Sequence, residues 1–297
     1  METLSHNEDI LIRGTALAGQ VRVFAALSTS LVEELRRRHD TWPTVTAALG
    51  RTVTAAAMMG SMLKGKEKLT VQLKGDGPVG QVVADANADG EARGYVDEPH
   101  VDLPLNSVGK LDVRGAVGQE GNLYVTKDLG LKEPYRGTSP IVSGEIAEDF
   151  TYYFGTSEQT PSAVALGVLV DTDLSVKAAG GFIIQLLPGL SDEEITVIEK
   201  KLAGLPSVTT LIDQGLGADD ILKRLFDDVK ILERKPLVFK CTCSPERIEK
   251  TLVSLGKAEI EGMINDQGQA EVVCHFCNEK YLVARPELER LIQEHFH

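Results

Sequence analysis

All four cysteines of the chain fall after residue 240, as Cys241-x-Cys243 and Cys274-x-x-Cys277 with thirty residues between the pairs. Deprotonated, a thiol is a soft metal ligand and a nucleophile; oxidised, it cross-links. Two close pairs brought together as two knuckles suit tetrahedral Zn²⁺, whose four-thiolate structural sites close without an open water position. The pattern consumes every cysteine and predicts one zinc per chain on Cys241, Cys243, Cys274 and Cys277. The alternatives are stable disulfides and free buried thiols, although a disulfide-stapled secreted domain would spread its bridges through the fold. His275 lies between two ligands and is a spare donor; with four thiolates at hand it is read as a solvated side chain. Each pair is also near enough in sequence to close a local disulfide, and oxidised sulfurs cease to ligate. From spacing alone, a purely structural metal is favoured over a switch.

The elements that must position these thiols begin at about Ile231. A strand LVFK (237–240) leads into Cys241, Ser244-Pro245 starts a helix that Gly256 ends, and a second helix covers Lys257 to Asn265. The turn DQGQ opens a hairpin AEVVCHFCNEKYLV, and Pro286 starts a last helix, PELERLIQEH. At roughly 65 residues this unit, 231–297, needs a staple to be stable, which the cysteines supply.

Upstream, residues 1–189 read as an α+β core. Short β-like runs alternate with glycine-rich turns at 69–74, 80–86, 121–130, 163–170 and 180–187, with helical runs STSLVEELRRRH and TVTAALGRTVTAAAMMGSMLKG near the front. Residues 190–230 differ. Ser191 and Glu194 form a capping box before Ile195, Ile198 and Leu202; Val208, Leu211 and Ile212 suggest a second short helix, and Ala218 to Asp228 a third. Such helices cannot bury their apolar stripes alone, so they form a linker held by docking.

The bulk properties bound the function. A net charge of −13 in 297 residues repels phosphate backbones, so nucleic acid is not expected as a partner. No window approaches the roughly 20 apolar residues that cross a bilayer, and METLSHNEDILIRG lacks the order of a secretory signal, so a cytoplasmic chain without membrane partners is expected. Gly75 to Gly80 fits G-x-G-x-x-G, yet the residues after it read as a strand rather than a phosphate-binding helix. In GSMLKGK, Glu67 stands where a phosphate loop needs Ser or Thr. Arg36-Arg37-Arg38-His39 reads as a solvated helix face. No catalytic constellation is arguable, and no enzyme is expected.

FKCTCSPERIEKTLVSLG (239–256) and QGQAEVVCHFCNEKYLV (267–283) resemble the redox-switch domain of the heat shock protein 33 family, the redox-regulated holdase chaperones. QLKGDGP (72–78), YFGTSEQTP (153–161) and AAGGFIIQLLPG (178–189) are similar to that family's core motifs, in the right order. The resemblance implies that Cys241, Cys243, Cys274 and Cys277 are the zinc ligands in the reduced state and that Cys241–Cys243 and Cys274–Cys277 are the redox-active pairs. It further implies ATP-independent binding of unfolded, aggregation-prone clients under oxidative stress, and a homodimer at least when activated. No client-binding position has a motif to carry over. Two rival readings are a zinc-ribbon nucleic-acid binder, which predicts salt-dependent affinity, and a thiol oxidoreductase, which predicts turnover of disulfides.

Overall fold

In the computed structural model, which describes residues 8–296, the alternation of side chains along strands decides how the chain is layered. Strands β1 (Ile10–Ala16) and β2 (Val21–Leu27) form an antiparallel hairpin. Along β2, Phe24 and Ala26 enter one apolar core while Val21, Val23, Ala25 and Leu27 enter a second on the opposite face. Helices α1 (Thr29–His39) and α2 (Pro43–Gly60) follow. Every residue of α2 except Pro43 and Arg51 is buried, and the hydroxyls of Thr52 and Thr54 donate to the carbonyls of Ala48 and Gly50, so the helix carries no unpaired hydroxyl at these positions.

Strands β3 (Lys68–Gly75), β4 (Gln81–Asn87) and β5 (Glu91–Val96), helix α3 (Val113–Val117), strands β6 (Gly121–Asp128) and β7 (Tyr135–Pro140) and helix α4 (Ala147–Thr156) lead to β8 (Ser162–Val170) and β9 (Val176–Leu186). Three helices come next, α5 (Asp192–Ala203), α6 (Val208–Asp213) and α7 (Ala218–Leu225), then β10 (Lys230–Pro236) and β11 (Val238–Phe239). The strands make two sheets, in the orders β10-β1-β2-β9-β8 and β11-β5-β4-β3-β6-β7; all neighbours are antiparallel except β11 and β5. Helix α2 packs on strands of both sheets, which explains its near-total burial. All five strands expected between residues 69 and 187, and both front helices, are present.

The other face of the five-stranded sheet is covered by the three short helices. Ile198 of α5, Val208 and Leu211 of α6, and Ile221, Leu222 and Leu225 of α7 meet Ile12, Val23, Ala25, Phe182 and Ile184 in one buried cluster. Glycines let α6 come close: a Cβ on Gly167 would lie 2.7 Å from Thr209 Cγ2, and one on Gly180, its cross-strand partner, 2.6 Å from Ile212 Cδ1. At the other end, Leu17 and Ala18 in the β1–β2 connection hold positive φ of 48° and 53°, strained for residues with a Cβ. The Asp228 carboxylate, just past α7, accepts both their N–H groups at 3.1 and 3.3 Å, and these bonds draw its pKa down.

Two compact units result, one up to Lys240 and one from Cys241 on. Residues 231–240 thus fall with the first, because β10 adds to the edge of β1 from Ile10 to Thr15 and β11 pairs with Glu91 and Ala92. The second unit holds α8 (Pro245–Leu255), α9 (Lys257–Asp266), the hairpin β12 (Gln269–Val273) and β13 (Lys280–Ala284), and α10 (Arg285–His295) around Ile248, Leu252, Ile260, Ile264, Leu288 and Leu291. Among the described residues no helix is long and apolar enough to cross a membrane. The first seven residues of the segment tested for a secretory signal lie outside the described residues.

Candidate metal centre

Two knuckles bring the four thiols together. Cys241 and Cys243 lie in the extended segment before α8, whose start is set by the Ser244 hydroxyl accepting the Arg247 N–H and by Pro245 in the first turn. Cys274 and Cys277 lie in the loop between β12 and β13. There Cys277 and Asn278 donate their N–H groups to the Cys274 carbonyl at 3.3 and 2.8 Å, Cys274 donates to Glu279 O at 2.9 Å, and Asn278 takes the positive φ of 58° that the turn needs. The N–H groups of Phe276 and Cys277 also reach the Cys274 sulfur.

The four sulfurs lie within 4.8 Å of one another, with Cys241 to Cys274 at 3.7 Å and Cys243 to Cys277 at 3.3 Å. Zn–S bonds of about 2.3 Å in a tetrahedron place sulfurs about 3.8 Å apart, and a disulfide requires about 2.05 Å. The thiols are therefore unbonded and spaced as ligands. Burial is the leading cause that pushes the Cys274 and Cys277 thiols up; Cys277 is carried well beyond the ordinary thiol range, with its neighbouring thiols adding to the effect of burial. Holding protons on such a crowded set of soft donors is what a cation would replace. The cluster is placed to hold one metal ion. His275 is exposed and stands outside the cluster.

The sequence reading missed Tyr281. Its hydroxyl donates to the Cys243 sulfur at 3.1 Å, and that contact, before burial, holds the phenol proton well above its usual range. Periodicity along β13 pairs Tyr281 with Val272 but says nothing of which sulfur its far end meets. Hydrogen bonds to ligand atoms tune metal sites, and losing one costs about 10–100-fold in affinity. Tyr281→Phe is therefore expected to weaken metal binding about tenfold with the fold intact, read by competition with a chromophoric chelator; unchanged affinity would show the hydroxyl to be a bystander.

The motifs set aside earlier are structural. Gly75 to Gly80 turns from β3 into β4, with Asp76 accepting the N–H groups of Gln119 and Glu120. Glu67 accepts the Lys64 N–H across its turn. Arg36 and Arg38 pair with Glu33 and Glu34, both at 2.7 Å.

An α+β protein with a separate four-thiol unit is the class that fold and site define. The chain belongs to the Hsp33 family: the family described as Hsp33 protein matches residues 9–284. Among curated relatives, it is 56% identical to the 33 kDa chaperonin of Brevibacillus brevis over 96% of this chain and 99% of that one. It is 53% identical to that of Shouchella clausii, over 97% and 98%. The crystal structure of the 33 kDa chaperonin from Thermotoga maritima superposes with a TM-score of 0.92 at 41% identity, covering 97% of this chain and 99% of that chain. The function for which these relatives are named is non-enzymatic.

Proposed function

We propose that the chain is a redox-regulated, ATP-independent holdase chaperone that binds unfolded proteins under oxidative stress. Cys241, Cys243, Cys274 and Cys277 hold one zinc in the reduced state, and Cys241–Cys243 and Cys274–Cys277 are the disulfides of the oxidised state. The observation that carries this reading is the four-sulfur cluster in a unit of roughly 60 residues, a size at which a core of its own rarely supplies more than about 3–5 kcal/mol. Bound there, zinc supplies a cross-link between the two knuckles. With peroxide as oxidant, each pair of thiols gives up two electrons and two protons, one sulfur–sulfur bond forms, and the peroxide O–O bond breaks to give two waters. Sulfurs so bonded no longer ligate, and the unit loses its staple.

In functional terms the division is 1–189 for client binding, 190–230 as linker and 231–297 as the switch. What supports a linker role is that α5 to α7 are short, gain little from propensity and are held by one shared apolar cluster. Their departure would bare one face of the five-stranded sheet, and large apolar surfaces bind non-native chains with little sequence preference. Reduced thiols accord with a cytoplasmic setting, and a homodimer of the activated form accords with the family.

The test is light scattering of an aggregating protein with reduced and peroxide-treated chain in parallel. Near-baseline suppression by the reduced form and near-complete suppression by the oxidised form at equimolar ratio is the expected result. Oxidised chain that fails to suppress aggregation overturns the reading; catalytic turnover of disulfides, or salt-dependent nucleic-acid affinity, would replace it with a rival.

A further inference from the structure

Asp and Glu outnumber Lys and Arg by 44 to 31, yet one arginine of the first unit has no acid to pair with. Among the described residues no carboxylate or carbonyl oxygen accepts from the guanidinium of Arg22 on β2; it lies over the Phe24 ring, 5.4 Å from the centroid, and is partly buried. The pairing of strands sets further positive charge beside it. Phe24 lies opposite Arg13 on β1, and residues two apart on a strand share a face, so Arg22 leaning over Phe24 approaches Arg13. Burial first, and the Arg13 charge second, pull the Arg22 pKa down, and no acid opposes them. Arg13 gives one arm to Glu233 of β10 at 3.2 Å, and Glu233 is shared with Lys235 at 2.9 Å. Three cations thus stand against one carboxylate. The Arg13 Nε is buried without an acceptor, and the buried Gln185 Oε1 on β9, directly opposite Arg22, has no donor although Arg22 carries five. Two like charges held together at partly buried positions cost free energy that an anion between them would return.

We propose that Arg22 and Arg13 form a binding site for a phosphate group, either the free ion or the terminal phosphate of a small molecule. The site lies on the Phe24 face of the five-stranded sheet, opposite the face that α5 to α7 cover, and it goes beyond the holdase reading without depending on the state of the thiols. Geometry selects phosphate over carboxylate. A single guanidinium fork fills both oxygens of a carboxylate, whereas a phosphate dianion presents its terminal oxygens in several directions and can accept from arginines on two strands at once. The local excess of positive charge matches a dianion. Glu233 is the repulsive group nearby, and Lys235 keeps it engaged. With a net charge of −13 the chain as a whole repels anions, so affinity must come from these short contacts rather than from long-range attraction. A bound phosphate would tie β2 to β1 by a bridge that the strands' own hydrogen bonds do not supply.

The experiment titrates the reduced full chain with inorganic phosphate, glycerol 3-phosphate and acetate at constant ionic strength, following the arginine Nε–H signals by nuclear magnetic resonance and the affinity by calorimetry. The Arg22 and Arg13 signals should shift and saturate with inorganic phosphate, which should bind at least about tenfold tighter than acetate. Glycerol 3-phosphate that binds as tightly supports the site as one for the phosphate of a larger molecule; binding of inorganic phosphate alone supports it as a site for the free ion. Arg22→Gln removes both fork and charge and should weaken phosphate at least about tenfold, with hydrogen exchange at Phe24 and Ala26 unchanged to show an intact sheet. Arg22→Lys keeps the charge without the fork and should recover only part of the loss, to about threefold weaker than the parent. The lysine variant decides the matter if the glutamine variant misfolds. Parental phosphate affinity in either folded variant overturns the proposal, as does acetate binding as tightly as phosphate. Arginine signals that drift without saturating, as general screening would make them do, overturn it too.

Discussion

Stripping the metal from the reduced chain should unfold residues 241–297 and leave both sheets of the first unit intact. The second unit has one modest core, Ile248, Leu252, Ile260, Ile264, Leu288 and Leu291 with few other side chains, and such a core rarely supplies more than about 3–5 kcal/mol. Structural zinc in peptides of this kind contributes roughly 10–16 kcal/mol, so the metal outweighs the packing severalfold. A strong chelator should abolish exchange protection at Ile260 and Leu288 while Val23 and Ile183, buried in the first unit, keep theirs. Cys277→Ser, which alters the most buried of the four thiols, should give the same pattern without chelator. The pH dependence has a definite sign. Burial raises the Cys274 and Cys277 thiols, so metal uptake must release their protons, and the chelator concentration needed should fall as the pH is lowered. Persistent protection of Ile260 in protein shown to be metal-free would mean that the unit stands on its core alone.

The second large effect is expected in the linker. Leu211→Asp combined with Leu222→Asp should make the reduced, metal-loaded chain an active holdase. Both leucines are wholly buried, in α6 and α7, against the face formed by Val23, Ala25, Phe182 and Ile184. An ionised carboxylate cannot remain there unpaired, and each substitution costs several kcal/mol, more than short helices gain from docking. Aggregation suppression should rise from near baseline to near that of oxidised wild type, with zinc content unchanged. Should the double variant stay inactive while exchange shows α6 and α7 released, activation would have to run through the second unit alone.

These targets differ from those that periodicity suggests. Ile195, Ile198 and Leu202 recur on one face of α5, and the capping box forms as expected, with Ser191 N donating to Glu194 at 2.8 Å. Yet only Ile198 is buried; Ile195 and Leu202 are half-exposed, and α7 is the more deeply seated helix. A periodic stripe tells which face docks but not how deep; for α6 the depth depends on Gly167 and Gly180, in strands distant from it in sequence. The thiol cluster was legible for the opposite reason, since ligand chemistry is carried by residue type and short spacing. All the helices and the hairpin of the second unit could likewise be read from Ser244, Pro245, Gly256 and Pro286. Long-range closure could not. Nothing in KILERKP announces that it returns to β1, and Tyr281 looks like an ordinary strand residue until its hydroxyl is seen at Cys243.

The strained connection between β1 and β2 ties the beginning of the first unit to its end. Leu17 and Ala18 keep their left-handed backbone with the help of a carboxylate at residue 228, and β1 gains its second neighbour only when residues 230–236 arrive. During synthesis, at about 5–20 residues per second, the first hairpin therefore waits on the order of ten seconds or more for the groups that complete it. Until then the N-terminal hairpin has an open edge, and the five-stranded sheet is complete only after α5 to α7 have been made.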